Sequence, residues 1–203
     1  MAKIKMKKKS MSTDMTAMCD VAFLLLTFFI LTATSKVPEA LPVDTPASTV
    51  ETKLPESDLA TLIVGKDKVF FDLKGKDVRI RTLELMEDKY GVKFSESDKT
   101  EFSLMSDFGV PIASLKGLID MKSSDRIKAD QPGIPKDSTD NQLREWILNA
   151  RKANIEVANK ELNFAIKGDA QENYPAIQKV MDALQDQNVN SFSLITGKRG
   201  KDF

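Results

Sequence analysis

The longest stretch of apolar residues lies near the start of the chain, from Ala17 to Ala33. As a helix it measures about 25 Å at ~1.5 Å per residue, close to the ~30 Å of a hydrocarbon core once its Met and Thr flanks are included. No charged residue occurs from Val21 to Ser35, so the stretch contains a single charge, that of Asp20. The pattern predicts a transmembrane helix over residues 17–35 that carries one carboxyl group.

The segment after this helix, residues 36–58, has neither helical nor alternating periodicity. It carries four prolines among small polar residues: Pro38, Pro42, Pro46 and Pro55. This composition predicts an extended linker. From residue 59 onward strand and helix periods return. The predicted organisation is therefore a basic terminus (1–16), a transmembrane helix (17–35), a proline-rich linker (36–58) and a folded domain (59–203).

The first half of the domain combines a hairpin with a run of short helices. The strands TLIV and VFFDL are separated by a turn from Gly65 to Lys68. Residues 75–137 then change to amphipathic pieces, around 81–89, 98–105 and 111–121. We interpret residues 75–137 as a helical insert into a compact sheet domain.

The second half of the domain predicts helix, strand, helix, strand. Ser138 or Thr139 is expected to cap a helix that runs to about Ala153, and LNFAIK alternates as a strand. A helix over residues 174–187 and the strand SFSLIT follow. The expected fold class is α+β: one N-terminal transmembrane helix, then a small extracytoplasmic sandwich with helices on one face of a sheet.

Charge is balanced over the chain, with 30 Lys and Arg against 30 Asp and Glu, which removes the general electrostatic argument for nucleic-acid binding. It is nevertheless uneven near the apolar stretch, where only Lys36 lies close on the C-terminal side. On the other side, basic residues precede the first acid: Lys3, Lys5, Lys7, Lys8 and Lys9. The positive-inside rule then puts the N-terminus in the cytoplasm and everything after Ser35 outside it.

The composition also excludes several kinds of catalytic and metal site. The chain has no histidine and one cysteine, Cys19, which excludes histidine-based catalysis and metal sites, an intrachain disulfide and multi-thiolate zinc. No phosphate loop or nucleophile elbow occurs. Gly168-Asp169 is expected to form a turn, and Trp146, Phe102 and Phe108 are expected in the core. We predict no enzyme activity, no cofactor and no metal.

Asp20 is the main candidate residue, because a carboxylate in hydrocarbon costs roughly 3 kcal/mol or more. Thr27 and Thr34 follow it at seven-residue intervals, so one helix face presents an acid and two hydroxyls, and that face is expected to meet protein. The functional interpretation is a proton-binding carboxyl whose charge is switched by a partner helix or by water access.

Two other interpretations of this region stay open. In one, Asp20 snorkels to the interface and the threonines bond to their own backbone. In the other, the apolar stretch is a cleaved secretory signal, because a basic start and small residues near Thr32 and Ala33 imitate one. The long basic region, the phenylalanines and Asp20 itself argue against cleavage.

The stretch DMTAMCDVAFLLLTFFILT, which begins at Asp14, resembles the membrane signature of the ExbD/TolR family. These are small subunits of proton-driven energy-transducing complexes in Gram-negative inner membranes. The likeness lies in the basic terminus, the Asp14-Met15-Thr16 start, the intramembrane aspartate followed by valine, and the Leu/Phe-rich span. AIKGD and YPAIQKVMDALQDQNVNSFSLIT resemble the family's closing strand–helix–strand unit, with longer Bacteroidetes-type members the most similar. Ala17, where many relatives have proline, and the insert are departures.

The resemblance implies a single-pass inner-membrane protein that contacts lipid, forms a homodimer and lies within a ring of an ExbB-like multi-spanning subunit. Asp20 would correspond to the proton-carrying aspartate, with Asp14 and Thr16 at the helix start and Thr27 and Thr34 on its polar face. The periplasmic domain would pass work to a TonB-like transducer and so power outer-membrane transport. No nucleic-acid partner is expected.

A second class of function is a structural adapter. Under this hypothesis the chain is a TolR-like or stator-like membrane adapter that serves outer-membrane integrity or another motor. Its outer domain binds peptidoglycan or a protein, and Asp20 only sets the packing of the helix. A third reading is a secreted protein whose signal has been removed.

Overall fold

The computed structural model describes residues 15–33, 39–48, 53–137, 140–172 and 174–198. The chain divides into two compact units, one up to Val37 and one from Pro38 onward, and each is described by itself. The first unit contains helix α1 (Met15–Thr32), whose 18 residues have a mean hydropathy of 2.0. Among the described residues, this is the one helix long and apolar enough to cross a membrane.

The second unit is built on a four-stranded sheet with helices after it, so the expected α+β class is confirmed. The strands are β1 (Ala47–Ser48), β2 (Leu59–Gly65), β3 (Lys68–Leu73), β4 (Asn163–Gly168), β5 (Ser193–Leu194) and β6 (Gly197–Lys198). The main sheet has the order β3-β2-β4-β5, antiparallel between β2 and β3 and parallel elsewhere. A short parallel pair joins β1 to β6.

The predicted hairpin is present, with Val64 opposite Val69 across a two-residue turn, Lys66-Asp67. Both turn residues have positive φ, 53° and 56°, the conformation that matches the twist of the flanking strands. The Asp67 carboxylate accepts a hydrogen bond from Lys136 Nζ at 2.6 Å. This bond lowers the pKa of Asp67 and ties the turn to the end of the insert.

The described residues of the second unit form six helices, and the first three match the amphipathic pieces predicted in the insert. They are α2 (Lys76–Tyr90), α3 (Glu96–Leu104), α4 (Ile112–Ile119), α5 (Ser123–Lys128), α6 (Gln142–Ala158) and α7 (Tyr174–Gln185). The short α5 was not predicted, because six residues do not establish a helical period.

The main core lies between the sheet and the helices. Leu62, Val64 and Phe71 contribute from the sheet, and Trp146 of α6 is fully buried among them. The ring of Phe108 meets Trp146 edge-on with centroids 4.9 Å apart, and Phe102 stacks on it at 6.1 Å. These aromatic residues are therefore core, as the sequence predicted.

Helix α6 differs from the prediction at both ends. Its N-cap is Asn141, whose Oδ1 accepts a hydrogen bond from the Arg144 backbone N–H at 3.0 Å, so a cap by Ser138 or Thr139 is wrong; those two positions lie outside the described residues. Asn is as good a cap as Ser or Thr and is adjacent to the first helical residue. The helix continues past Ala153 and ends where Asn159 adopts a left-handed conformation.

Strand β4 was expected to alternate between buried and exposed positions, and it does not. Phe164, Ala165 and Ile166 are all buried, because β4 is paired on both sides in a region where the sheet is covered on both faces. Helix α7 is present and buries Val180 and Leu184, but it ends at Gln185 instead of continuing to residue 187.

The insert is joined to the sheet in two ways. It covers the free edge of β3, where Phe71 and Phe108 exchange backbone hydrogen bonds at 2.8 and 3.1 Å and the Ile134 N–H donates to the Val69 carbonyl. It also contributes the buried Arg79 of α2, which forms an ion pair with Asp72 and donates to four backbone carbonyls, those of Leu73, Phe102, Met105 and Ser106. Burial lowers the pKa of Arg79, and the charge of Asp72 opposes this effect.

The outer face of the sheet is covered by residues 39–48 (EALPVDTPAS), which we call the strap. Although these residues belong to the segment predicted as a linker, Leu41 is buried there against Ile63 and Phe70, with Val43 packed beside them. The sheet therefore has two apolar faces, a large one under the helices and a small one under the strap.

Replacing Arg79 tests the bond between insert and sheet. Arg79→Ala should lower the free energy of unfolding by roughly 3–5 kcal/mol, because it leaves buried carbonyls without a donor and the partly buried Asp72 carboxylate with only the more distant Lys74. Arg81→Ala is the matched control, since Arg81 is 38 % exposed and pairs with Glu84 and Glu156 at the surface; its cost should stay below about 1 kcal/mol. If urea unfolding showed that both variants lose the same free energy of unfolding, Arg79 would not be the bond that joins the insert to the sheet.

Candidate functional site

Asp20 is the sixth residue of α1, about 8 Å along the axis from Met15 at ~1.5 Å per residue. Its side chain is exposed in this unit, and it is the only charged residue between Met15 and Ala33. The exposed large side chains of the helix include Phe23 at 67 % and Leu31 at 85 %. A helix that is apolar all round requires lipid or protein around it.

Helix geometry sets which residues share a stripe with Asp20. Thr16 lies one turn before Asp20 and Thr27 lies two turns after it, about 10 Å further along the axis, so the three fall on one face. Thr34 and Asp14, the other predicted members of the site, lie outside the described residues. The structure thus brings together one carboxyl and two hydroxyls along a single stripe.

The threonine hydroxyls of α1 bond to their own helix. Thr27 Oγ1 donates to the Leu24 carbonyl at 2.9 Å, and Thr32 Oγ1 donates to the Phe28 carbonyl at 2.8 Å. This is the local bonding that one of the alternative interpretations expected. A hydroxyl has one proton and two lone pairs, so Thr27 Oγ1 still offers an acceptor to a donor on a neighbouring helix. Thr32 lies away from the Asp20 stripe.

The ion pairs of the folded domain join its own helices and turns to one another. Lys99 lies 3.1 Å from Glu96 and 3.5 Å from both Glu84 and Glu87, and the hydrogen bond that Lys99 Nζ donates to Glu96 is the main cause of its raised pKa. Asp169 forms the turn predicted at Gly168-Asp169, and its carboxylate accepts the Gln171 N–H at 3.0 Å. Within the described ranges, no three His, Cys, Asp or Glu side chains are grouped so that they could hold a metal ion.

The comparison with protein families identifies the chain. Residues 6–199 match the family described as Biopolymer transport protein ExbD/TolR, so the chain belongs to the ExbD/TolR family and the resemblance seen in its sequence is confirmed. The match runs through the helical insert. No curated protein and no solved structure matches the chain.

Family membership gives the general class of the protein. ExbD/TolR proteins are non-enzymatic, energy-transducing adapters of biopolymer transport that work within membrane complexes. Together with the apolar helix α1, membership indicates a single-pass membrane protein.

An uncleaved span predicts that the protein isolated from cells keeps its basic terminus. Intact-mass measurement should show residues Lys3–Lys9 present, and alkaline extraction should leave the protein in the membrane pellet, because an 18-residue apolar helix anchors it. A soluble product whose sequence begins after Ala33 would instead establish the cleaved signal.

Proposed function

We propose that this ExbD/TolR chain is the proton-motive-force-coupled subunit of an inner-membrane complex that powers outer-membrane transport. Its N-terminus lies in the cytoplasm and its folded domain in the periplasm. The observation that carries the proposal is Asp20, a single carboxyl on a helix that otherwise has no charge between Met15 and Ala33. Intramembrane acids of this kind are typical of proton relays.

The mechanism follows from the two protonation states of Asp20. A neutral carboxyl tolerates an apolar neighbour and donates one hydrogen bond, whereas a carboxylate only accepts hydrogen bonds and requires hydroxyls or water. Each state therefore favours a different packing of α1 against its surroundings. Moving one charge through 100 mV is worth about 2.3 kcal/mol, enough to shift a two-state equilibrium by more than tenfold.

The stripe on α1 supports a protein partner around the helix. Asp20 and Thr27 are about 10 Å apart along one helix, too far for a mutual hydrogen bond, so the carboxyl and the remaining acceptor site of the Thr27 hydroxyl are both available to groups on a neighbouring helix. We assign this role to an ExbB-like multi-spanning subunit, with a second copy of this chain beside it. A TonB-like transducer then receives work from the periplasmic domain.

A second candidate is a TolR-like or stator-like adapter that maintains the outer membrane. Two observations favour it: the matched family description includes TolR, and the hydroxyls of Thr27 and Thr32 bond to their own backbone. In this case Asp20 sets helix packing and carries no proton.

Replacing Asp20 separates these functions. Asp20→Asn keeps the size and polarity of the side chain but cannot ionise, so uptake of a large outer-membrane-dependent nutrient should fall to the level of the deletion strain. The multi-spanning partner should still co-purify with the variant.

Two matched variants make the result specific. Asp130→Asn removes an exposed acid of the folded domain and should leave uptake unchanged, while Asp20→Glu keeps a carboxyl and should retain part of the activity. Normal uptake in the Asp20→Asn strain would transfer the assignment to the adapter.

A further inference from the structure

The strap holds the domain through few buried groups. Of its ten residues only Leu41 is fully buried, and the others are exposed or half-buried. Its other contacts include the Glu39 carboxylate with Lys167 Nζ at 2.6 Å, the Asp44 carbonyl with the Ala170 N–H at 2.7 Å, the Pro46 carbonyl with the Gly197 N–H at 2.9 Å, and the short pair of β1 with β6. Segments with this little burial open locally while the rest of a fold stays intact.

Asp107 is a carboxylate dedicated to the strap. It belongs to the insert, is 5 % exposed, and its oxygens accept the Ala40 N–H at 3.1 and 3.2 Å and the Leu41 N–H at 3.4 Å. Within the described part of the chain, these are its side-chain hydrogen bonds. The nearby cation Arg79 is engaged with Asp72 and four carbonyls.

The donors to Asp107 are therefore backbone amides of the strap, more than sixty positions away in sequence. If the strap detaches from the domain, Asp107 loses these donors. A buried carboxylate needs partners, and hydrogen bonds from amides to an ionised carboxylate are among the stronger ones. When the strap leaves, water takes the place of its amides. Asp107 thus binds the strap through its hydrogen bonds, and its charge also acts on the buried Arg79.

We propose that residues 39–48 are a releasable strap, held on the sheet by Asp107, whose release lengthens the tether between the membrane helix and the folded domain. Counted along the sequence, residues 34–38 separate Ala33 from the strap, whereas residues 34–57 separate Ala33 from Asp58, whose carbonyl accepts the Asn163 N–H. The nineteen additional residues supply roughly 65 Å of reach at full extension. This use of the tether rests on the proposed function, in which the domain works away from the membrane.

Hydrogen exchange on the full-length protein in detergent micelles tests the clamp without any transport assay. Asp107→Ala should make the amides of Ala40 and Leu41 exchange at least about tenfold faster, because it removes their charged acceptor. The amides of β2 and β4 should keep their wild-type rates. Asp130→Ala is the matched control, since Asp130 is another carboxylate of the insert, 94 % exposed and paired with Lys68, and should leave the strap protected.

A second variant acts from the strap side. Leu41→Ala removes the buried anchor but keeps Asp107, and it should speed exchange of the same amides less than loss of Asp107 does. If Asp107→Ala unfolds the domain, Asp107→Asn keeps the size of the side chain but removes its charge and should still speed exchange of the strap amides. The clamp is wrong if strap amides exchange freely in the wild type or keep wild-type rates in a folded Asp107 variant.

A covalent lock tests the need for release. An ideal Cβ on Gly65 lies 2.7 Å from Val43 Cγ1, so Val43→Cys with Gly65→Cys should form a disulfide in the oxidising periplasm. Uptake should be lost in the double variant, kept in each single variant, and restored by reductant. Full uptake with the disulfide formed would overturn the lengthening role. If Asp20→Asn showed normal uptake, the proposed function would fail. The exchange experiment would still show whether Asp107 holds the strap on the domain.

Discussion

Strand β2 is buried along its whole length, and this requirement determines what surrounds the sheet. Ala60, Leu62 and Val64 face the helices, while Ile63 points to the opposite side. A strand of this kind needs cover on both faces, and only one face has helices. The other is completed by Leu41 from a proline-containing segment, so the domain recruits chain from its own linker to finish its core.

The insert connects these two faces. Its aromatic residues and Arg79 fix it to the sheet on the helical side, and its edge contact through Phe108 closes β3, which would otherwise offer unpaired backbone groups. The residue just before Phe108 is Asp107, which binds the strap. One loop of the insert therefore pairs with the edge of the sheet and also binds the strap. Residues 75–137 thus stabilise both faces of the sheet.

The elements found from sequence are those whose signal is local. The apolar span, the hairpin and α2 to α4 each show their period or their turn within a dozen residues, and Asp20 stands out because it is the only charge in its stretch. The strap, the Asn141 cap and the burial of β4 depend on distant partners or on a choice among equivalent residues. Asp107 could not be distinguished among 30 acids, because its amide partners lie far away in sequence.

The energies of the two proposed switches are of the same order. One charge crossing 100 mV supplies about 2.3 kcal/mol, and burial of one leucine such as Leu41 contributes about 1.5–3 kcal/mol. The aromatic core around Trp146 buries several side chains of that size, so a proton-driven step has too little energy to disrupt it. The strap buries one leucine and is otherwise held by surface and backbone hydrogen bonds, so it is the part of the domain whose release costs an energy closest to that of one proton-driven step.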